Sequence, residues 1–405
     1  MNLVQHHIIK KGHKFYKECD NLTFKAKNLY NQALYRIRQS FIKTGKFISF
    51  PVLRKQLASE NQVDFRAMSS QVSKEVLRKL DKNWKAFFAS LRAYKKTPSK
   101  FKGSPKLPSY KDKTKGRFVA EFYNPEAISK KWLRQGLIKL SGTSIKLTTK
   151  LKNIKQVRIV PKYGYFVIEV VYQVPDVVLK PFNNKVASVD LGVNNLASIV
   201  FNTGDKPLII NGKPLKSINQ YYNKTKAKLM SYIGDKGSSR RIEKLTLKRN
   251  NKVKDYLHKS TTLLANHIAS QDITKTIIGW NIGVKQEVNI GKRNNQNFVS
   301  LPLYQFVQTL SYKLKLKGID VIEQEESYTS KCSFLDNEPI QKHKAYKGKR
   351  LKRGLFESSN GTKINADINA AYNIGRKAVP NAYKVDGIEV LPLTPIKMKN
   401  LYKIV

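Results

Sequence analysis

The feature that most constrains this chain is its charge. Lys and Arg number 77 against 28 Asp and Glu, a formal net charge of +49, and a compact fold carrying that excess repels itself unless a polyanion neutralises it. The excess is not gathered in a tail: Lys95-Lys96, Lys130-Lys131, Lys150 and Lys152, Arg240-Arg241 and the stretch from Lys342 to Arg353 spread it along the whole length. Such a distribution suits a channel that follows a nucleic-acid backbone over a long path better than a single docking patch. Basicity reports polyanion binding and not its purpose, so on charge alone a ribosome-associated or nonspecific DNA-binding protein stays open. The 405 residues, 40% of them hydrophobic, are enough for two or three domains with real cores.

Other classes are argued against. The two cysteines, Cys19 and Cys332, are too few and too far apart for a disulfide framework or a four-thiolate zinc site, and fit a reducing compartment. No apolar run approaches the roughly 20 residues of a membrane span, and Met1 to Lys11 has no signal-peptide core. The expectation is a soluble cytoplasmic protein with no membrane partner, nucleoid-associated when on DNA. None of the six histidines pairs with Ser or Cys in a way that supports nucleophilic catalysis.

Along the chain, Leu3 to Ile9 reads as a strand leading into a helix over Tyr16–Ile42, with Leu22, Leu29, Leu34 and Ile37 at helical spacing. Helical pattern continues from Phe50 to Tyr94, where Val72, Val76, Leu77, Leu80, Trp84, Phe87, Phe88 and Leu91 form one apolar stripe that reads as core. Lys95 to Arg117 is rich in Lys, Pro, Gly and Ser and reads as a basic loop. From Phe118 to Pro175 come short β-type runs, which predict a small β-barrel completed by the first strand. After a boundary at 175–184, strands and helices alternate in the manner of an α/β domain: strands at Val186–Val189, Leu196–Phe201, Pro207–Ile210, Thr276–Gly279 and Val321–Glu325, with basic helices over about Ser217–Ser270.

Two segments carry chemistry. Ser188-Val189-Asp190-Leu191-Gly192-Val193-Asn194 places one carboxylate on an apolar strand beside a tight turn, where a divalent cation can reach it; alone, such an Asp reads equally as a turn stabiliser. Ile364-Asn365-Ala366-Asp367-Ile368-Asn369-Ala370-Ala371 opens a helix with an Asp that, alone, reads as a cap.

Together these segments resemble the first and third motifs of the RuvC-like nuclease core in TnpB proteins, transposon-encoded relatives of type V CRISPR effectors. The segment Lys285–Phe298 and the run Glu326-Ser327-Tyr328-Thr329-Ser330-Lys331-Cys332-Ser333 extend the resemblance in order and spacing from about Val186 to Lys377. It implies an α+β multidomain chain. Residues 1–20 and 118–180 form a β-barrel, 21–117 an inserted helical lobe, 181–331 and 363–378 a RuvC/RNase H-like α/β nuclease domain, 332–362 an insert, and 379–405 a C-terminal tail. It also implies an RNA-guided DNA endonuclease using Mg2+, with Mn2+ as an alternative ion. Its partners are a guide RNA derived from the transposon end and double- and single-stranded target DNA.

Two departures stand out. The family pattern ends the strand Ile277-Ile278-Gly279 with a Glu, and this chain has Gly279 there. A substitute carboxylate is available at the end of the next strand. Successive strand side chains face opposite ways, so only one of Glu325 and Glu326 can point into the site. Glu326 is the choice, which makes Asp190, Glu326 and Asp367 the expected catalytic and Mg2+-binding set; Glu325, or no replacement at all, stays open. The family also places a four-Cys zinc ribbon where this chain has only Cys332, so no zinc site is expected. Candidate nucleic-acid contacts are Lys95, Lys96, Arg240, Arg241, Lys248 and Arg249. Two rivals remain: a guided DNA binder or repressor that does not cut, and a guide-independent accessory factor that binds transposon DNA.

Overall fold

A computed structural model of the chain describes residues 1–234, 237–281, 283, 289, 291–383 and 393–398. Of the motif segment 285–298, residues 285–288 and 290 lie outside the described residues, as do 384–392 and 399–405 of the tail. The chain forms two compact units, Met1–Pro175 and Asp176–Val405.

In the first unit, β1 (Asn2–Lys10) leads into α1 (Tyr16–Thr44). The helix buries Leu22, Ala26, Leu29, Ala33 and Ile37 along one stripe and ends at Gly45, whose φ of 68° lets its N–H reach the Phe41 carbonyl. After α2 (Phe50–Ser59) and α3 (Val63–Arg66), α4 (Ser70–Lys96) lays Val76, Leu77, Leu80 and Trp84 against that stripe. Trp84 is fully buried among Phe41, Phe47, Phe87 and Phe88, so this aromatic stripe is core. The basic loop that follows is pinned to α1. Asn31 exchanges two hydrogen bonds with the Lys111 backbone, both 2.8 Å, and Arg117 donates to the Asp20 carboxylate at 2.8 and 2.9 Å.

The β-rich half holds β2 (Ala120–Tyr123), α5 (Lys130–Arg134), β3 (Leu137–Lys139), β4 (Lys146–Thr148), β5 (Ile154–Lys162) and β6 (Tyr165–Gln173). The first strand does pair here, register Asn2 to Gln173 through Lys10 to Tyr165. Where a barrel was expected, the described strands make an antiparallel ladder β1-β6-β5-β2 and a separate β3-β4 hairpin that share one core. At the far edge, β2 is four residues long, and Pro125, two residues beyond it, has no N–H to extend its pairing.

The second unit is a layered α/β fold. Strands β7 (Val186–Leu191), β8 (Asn195–Phe201) and β9 (Leu208–Asn211) make an antiparallel meander. After α6 (Lys213–Ser231) and α7 (Arg240–Ser270), β10 (Lys275–Gly279) returns parallel to β7. After α8 (Lys292–Val299) and α9 (Leu303–Lys315), β11 (Asp320–Gln324) adds parallel to β10. A small sheet of β12 (Lys349–Lys352), β13 (Leu355–Glu357) and β14 (Lys363–Ile364) precedes α10 (Ala366–Ala378). Part of the tail, β15 (Ile396–Met398), pairs parallel with β9 and completes the order β11-β10-β7-β8-β9-β15.

Alternation along β7 sorts its side chains. Ala187 and Val189 pack with α7 and α9, while Val186 and Ser188 face α10. Asp190 therefore falls on the α10 face. That helix approaches the sheet closely because it carries Gly375, where a methyl group would strike the Ser188 side chain and the Tyr383 ring. The Tyr383 hydroxyl bonds Ser188 Oγ at 2.9 Å within the same contact. Alanine in a helix normally gains up to about 1 kcal/mol over glycine. Here Gly375→Ala is expected to lose about 1–3 kcal/mol through overpacking, a reversal of sign that urea denaturation reads directly.

Candidate functional site

Each expected carboxylate is positioned by a different element. Asp190 sits near the C-terminal end of central strand β7, opposite Ser198 of β8. Burial pushes its carboxyl well above the usual carboxylate range, and the negative charges of Asp367 and Glu326 push it further; Arg350 opposes them.

Asp367 is not the cap of α10. Asn365 takes that role, its side-chain oxygen accepting from the Asp367 and Ile368 N–H groups at 3.0 and 3.3 Å. The Asp367 carboxylate is left to face the site, where Asn195 donates to its Oδ2 at 2.6 Å and Arg350 stands 3.9 Å from its Oδ1.

Glu326 arrives from the segment after β11. Gly279 of β10 pairs with Gln324, and the Trp280 N–H donates to the Gln324 carbonyl at 2.9 Å, so the two strands stay in step to their ends. Asn281 then accepts from the Glu326 N–H at 3.1 Å. A Cβ built on Gly279 would lie 2.9 Å from Glu326 Oε2 and 2.5 Å from Ile374 Cδ1. The Glu326 carboxylate thus lies over the bare face of Gly279, and burial raises its pKa, with Glu325 adding to the rise. Glu325 points the other way: it is exposed and bonded to Lys377 Nζ at 2.6 Å, which holds its pKa down to about 2.

Among the described residues, no group of three His, Cys, Asp or Glu side chains forms a ready-made metal cluster. The donor set nevertheless fits a hard divalent ion. Mg2+ is commonly held by one or two carboxylates together with substrate phosphates and water, without an all-protein cage, and a bound cation would offset the repulsion between these desolvated carboxylates.

Beside the carboxylates opens a basic pocket of about 520 Å3, lined by Val193, Lys216, Asn297, Arg350, Lys352 and Arg353 among others. Sequence reasoning missed Asn195 and Arg350. Asn195 directly follows the Asp190 motif, and Arg350 lies in a basic run that shows only as dispersed charge. Of the other expected contacts, Lys95, Lys96, Arg240, Arg241 and Lys248 are exposed. Arg249 is engaged inside the fold, donating to Asn219 Oδ1 at 2.7 Å and the Ser300 carbonyl at 2.8 Å.

The insert is cross-linked by a carboxylate. Glu338, 1% exposed, accepts from the Ser333 N–H at 2.8 Å and the Lys347 N–H at 2.9 Å, joining two turns of the segment. Asn369 and Asn373 of α10 both donate to the Cys332 carbonyl, at 2.9 and 2.8 Å, and the Phe334 and Tyr372 rings stack at 4.5 Å. Cys332 Sγ faces the Pro339 carbonyl at 3.3 Å, and burial raises its pKa. Glu338→Ala leaves the buried Ser333 N–H unpaired, at a cost of about 1–3 kcal/mol, and releases the more exposed Lys347 N–H. Proteolysis within 332–362 is expected to accelerate at least about tenfold in that variant, and zinc chelation is expected to leave the parent's cleavage pattern unchanged.

The carboxylate-bearing core sits in a mixed α/β multidomain protein. The OrfB_IS605 family model, described as a probable transposase, matches residues 169–284, and the Cas12f1-like TNB domain model matches 304–374. A TnpB-like protein, ORF457 of Acidianus two-tailed virus, is 28% identical over 235 residues, 53% of this chain and 49% of that protein. The CRISPR-associated endodeoxyribonuclease Cas12f2 of Micrarchaeota archaeon (strain CG1_02_47_40) is 28% identical over 208 residues, 48% of this chain and 37% of that protein. The matches thus span half or less of the curated relatives' length. A solved Cas12f1–sgRNA–target DNA complex aligns over 93% of this chain and 100% of its own, at 15% identity and a TM-score of 0.39. These matches lie within residues 169–374 for the family models, and together they support a TnpB family member. Among the described residues no helix is long and apolar enough to cross a membrane.

Proposed function

We propose that this protein is an RNA-guided DNA endonuclease that hydrolyses target phosphodiester bonds with Mg2+ held by Asp190, Glu326 and Asp367. The observation that carries the reading is Glu326 Oε2 lying over Gly279: the carboxylate missing from the end of β10 is supplied from the neighbouring chain segment. When bound, divalent ions activate the attacking water and stabilise the leaving oxygen. The chain's own groups hold the donors in place. The β7 backbone fixes Asp190, Asn195 orients Asp367, Asn281 anchors the Glu326 backbone, and Lys377 draws Glu325 away.

In this reading the first unit, with its antiparallel ladder and helical lobe, grips the guide RNA and the heteroduplex by their backbones. Exposed Lys95 and Lys96 contribute there, and Arg240, Arg241 and Lys248 contact phosphate beside the core. The protein works in the cytoplasm and on the nucleoid, next to a short DNA motif that licenses strand opening.

The test is cleavage of a plasmid matched to the RNA that copurifies with the protein, with and without Mg2+. Magnesium-dependent cutting, lost in Asp190→Ala, Glu326→Ala and Asp367→Ala, is expected. A second reading, a guided DNA binder that does not cut, rests on Gly279 standing where the family pattern has a Glu. Guide-dependent binding by the parent without cutting decides for it.

A further inference from the structure

Between α6 and α7 runs a groove of about 330 Å3 whose walls include Tyr221, Tyr222, Leu245, Lys248, Arg249 and Lys252. Its composition is unusual for a gap between packed helices. Tyr221 is 66% exposed and Lys248 and Lys252 stand at the rim in solvent. Helix α6 contributes five lysines over its 19 residues and no carboxylate.

The groove is also organised before anything enters it. The Arg249 guanidinium lies 5.6 Å from the Tyr222 ring centroid and is fixed there by Asn219 Oδ1, itself 1% exposed, and by the Ser300 carbonyl. The Tyr222 hydroxyl meets Thr246 Oγ1 at 3.2 Å. An immobilised cation over one aromatic ring, a free aromatic ring beside it and lysines at the edge match a ligand with a flat π-face and a negative backbone. That combination is the binding chemistry of single-stranded nucleic acid, where bases stack on aromatic side chains and phosphates follow the cations.

Its position connects the groove to the carboxylates. Gly212, the residue just before helix α6, donates its N–H to the Asn194 carbonyl at 2.7 Å in the turn that follows Asp190. Lys216, on its first turn, lines the basic pocket beside Asp367. From Gly212 to Tyr221 the helix rises about 13 Å at 1.5 Å per residue, a distance that a strand entering the pocket covers in a few nucleotides.

We infer that the α6–α7 groove is a stacking site for a single nucleic-acid strand, with Tyr221 as the base platform and Lys248 and Lys252 as phosphate contacts. It rests on the proposed nuclease reading only for the location of the reacting phosphate. The strand-binding chemistry stands apart from cleavage.

The experiment uses the full-length chain and short oligo-dT and oligo-U probes, each carrying one 2-aminopurine, with affinity read by anisotropy and stacking by fluorescence quenching. Tyr221→Ala is expected to weaken binding about tenfold and to remove quenching, and Tyr221→Phe to restore both. Lys252→Ala is expected to lower the slope of log affinity against log salt by about one. Loss with oligo-dT assigns the groove to DNA, and loss with oligo-U alone assigns it to RNA. Unchanged affinity and quenching in Tyr221→Ala, with the parent binding both probes, overturns the inference. Absence of plasmid cleavage by the parent overturns the nuclease reading and leaves these binding results standing.

Discussion

Glu326→Gln is expected to abolish plasmid cutting while leaving guide-dependent DNA binding intact, and Glu325→Gln is expected to cut at close to the parental rate. The substitution keeps the shape of the side chain and removes its charge, so what it tests is whether a carboxylate is needed over Gly279. Metal-assisted hydrolysis draws several kcal/mol from ions held by such groups, and at 1.36 kcal/mol per decade the loss is about a thousandfold or more. Glu325 supplies the internal control: same residue type, adjacent position, opposite face, already paired with Lys377. Single-turnover cleavage with saturating guide separates the two, and binding by the same samples shows that the core remains folded. Equal losses in both variants, or none in Glu326→Gln, would remove Glu326 from the site.

The contrast between these neighbours was expected from strand alternation, yet β11 ends at Gln324 and both residues lie in the segment that follows it, where Lys377 holds Glu325 aside. That the next strand lies beside β10 was implied by the resemblance to a RuvC-like sheet, and β11 does pair with it. Less legible were features assembled from distant segments. Asn365, two residues before Asp367, caps α10, so the sequence-level worry that Asp367 serves only as a cap is removed by a neighbour of equal capping ability. Arg350 reaches Asp367 only because β12 folds back beside α10, a placement that no periodicity announces. Glu338 looks like one more charged residue in a basic insert, and its burial between two turns depends on tertiary closure. The expected barrel missed for a related reason: β-type runs indicate strands, whereas closure depends on edge pairing, and here four strands make a ladder apart from the hairpin. Even the end of β11 slipped by one residue, at Gln324 instead of Glu325.

The second large effect concerns Gly279 itself. If Glu326 has replaced a carboxylate once borne at the end of β10, the two positions exclude each other. Gly279→Glu in the parent is therefore expected to lower cleavage at least about a hundredfold and cost about 1–3 kcal/mol of stability through overpacking. Its Cβ meets Ile374 Cδ1 at 2.5 Å and Glu326 Oε2 at 2.9 Å, and a second carboxylate adds like-charge repulsion in a site whose burial already disfavours ionisation. Pairing Gly279→Glu with Glu326→Ala removes the repulsion and one of the two clashes, and Ile374→Ala removes the other. The triple variant is expected to cut at least about tenfold faster than Glu326→Ala alone, because the carboxylate re-enters the same space from the neighbouring strand. The comparison is a test of position and not of residue type: a triple variant no faster than Glu326→Ala, yet equally well folded by urea denaturation, would mean that position 279 and the Glu326 carboxylate do not serve one site.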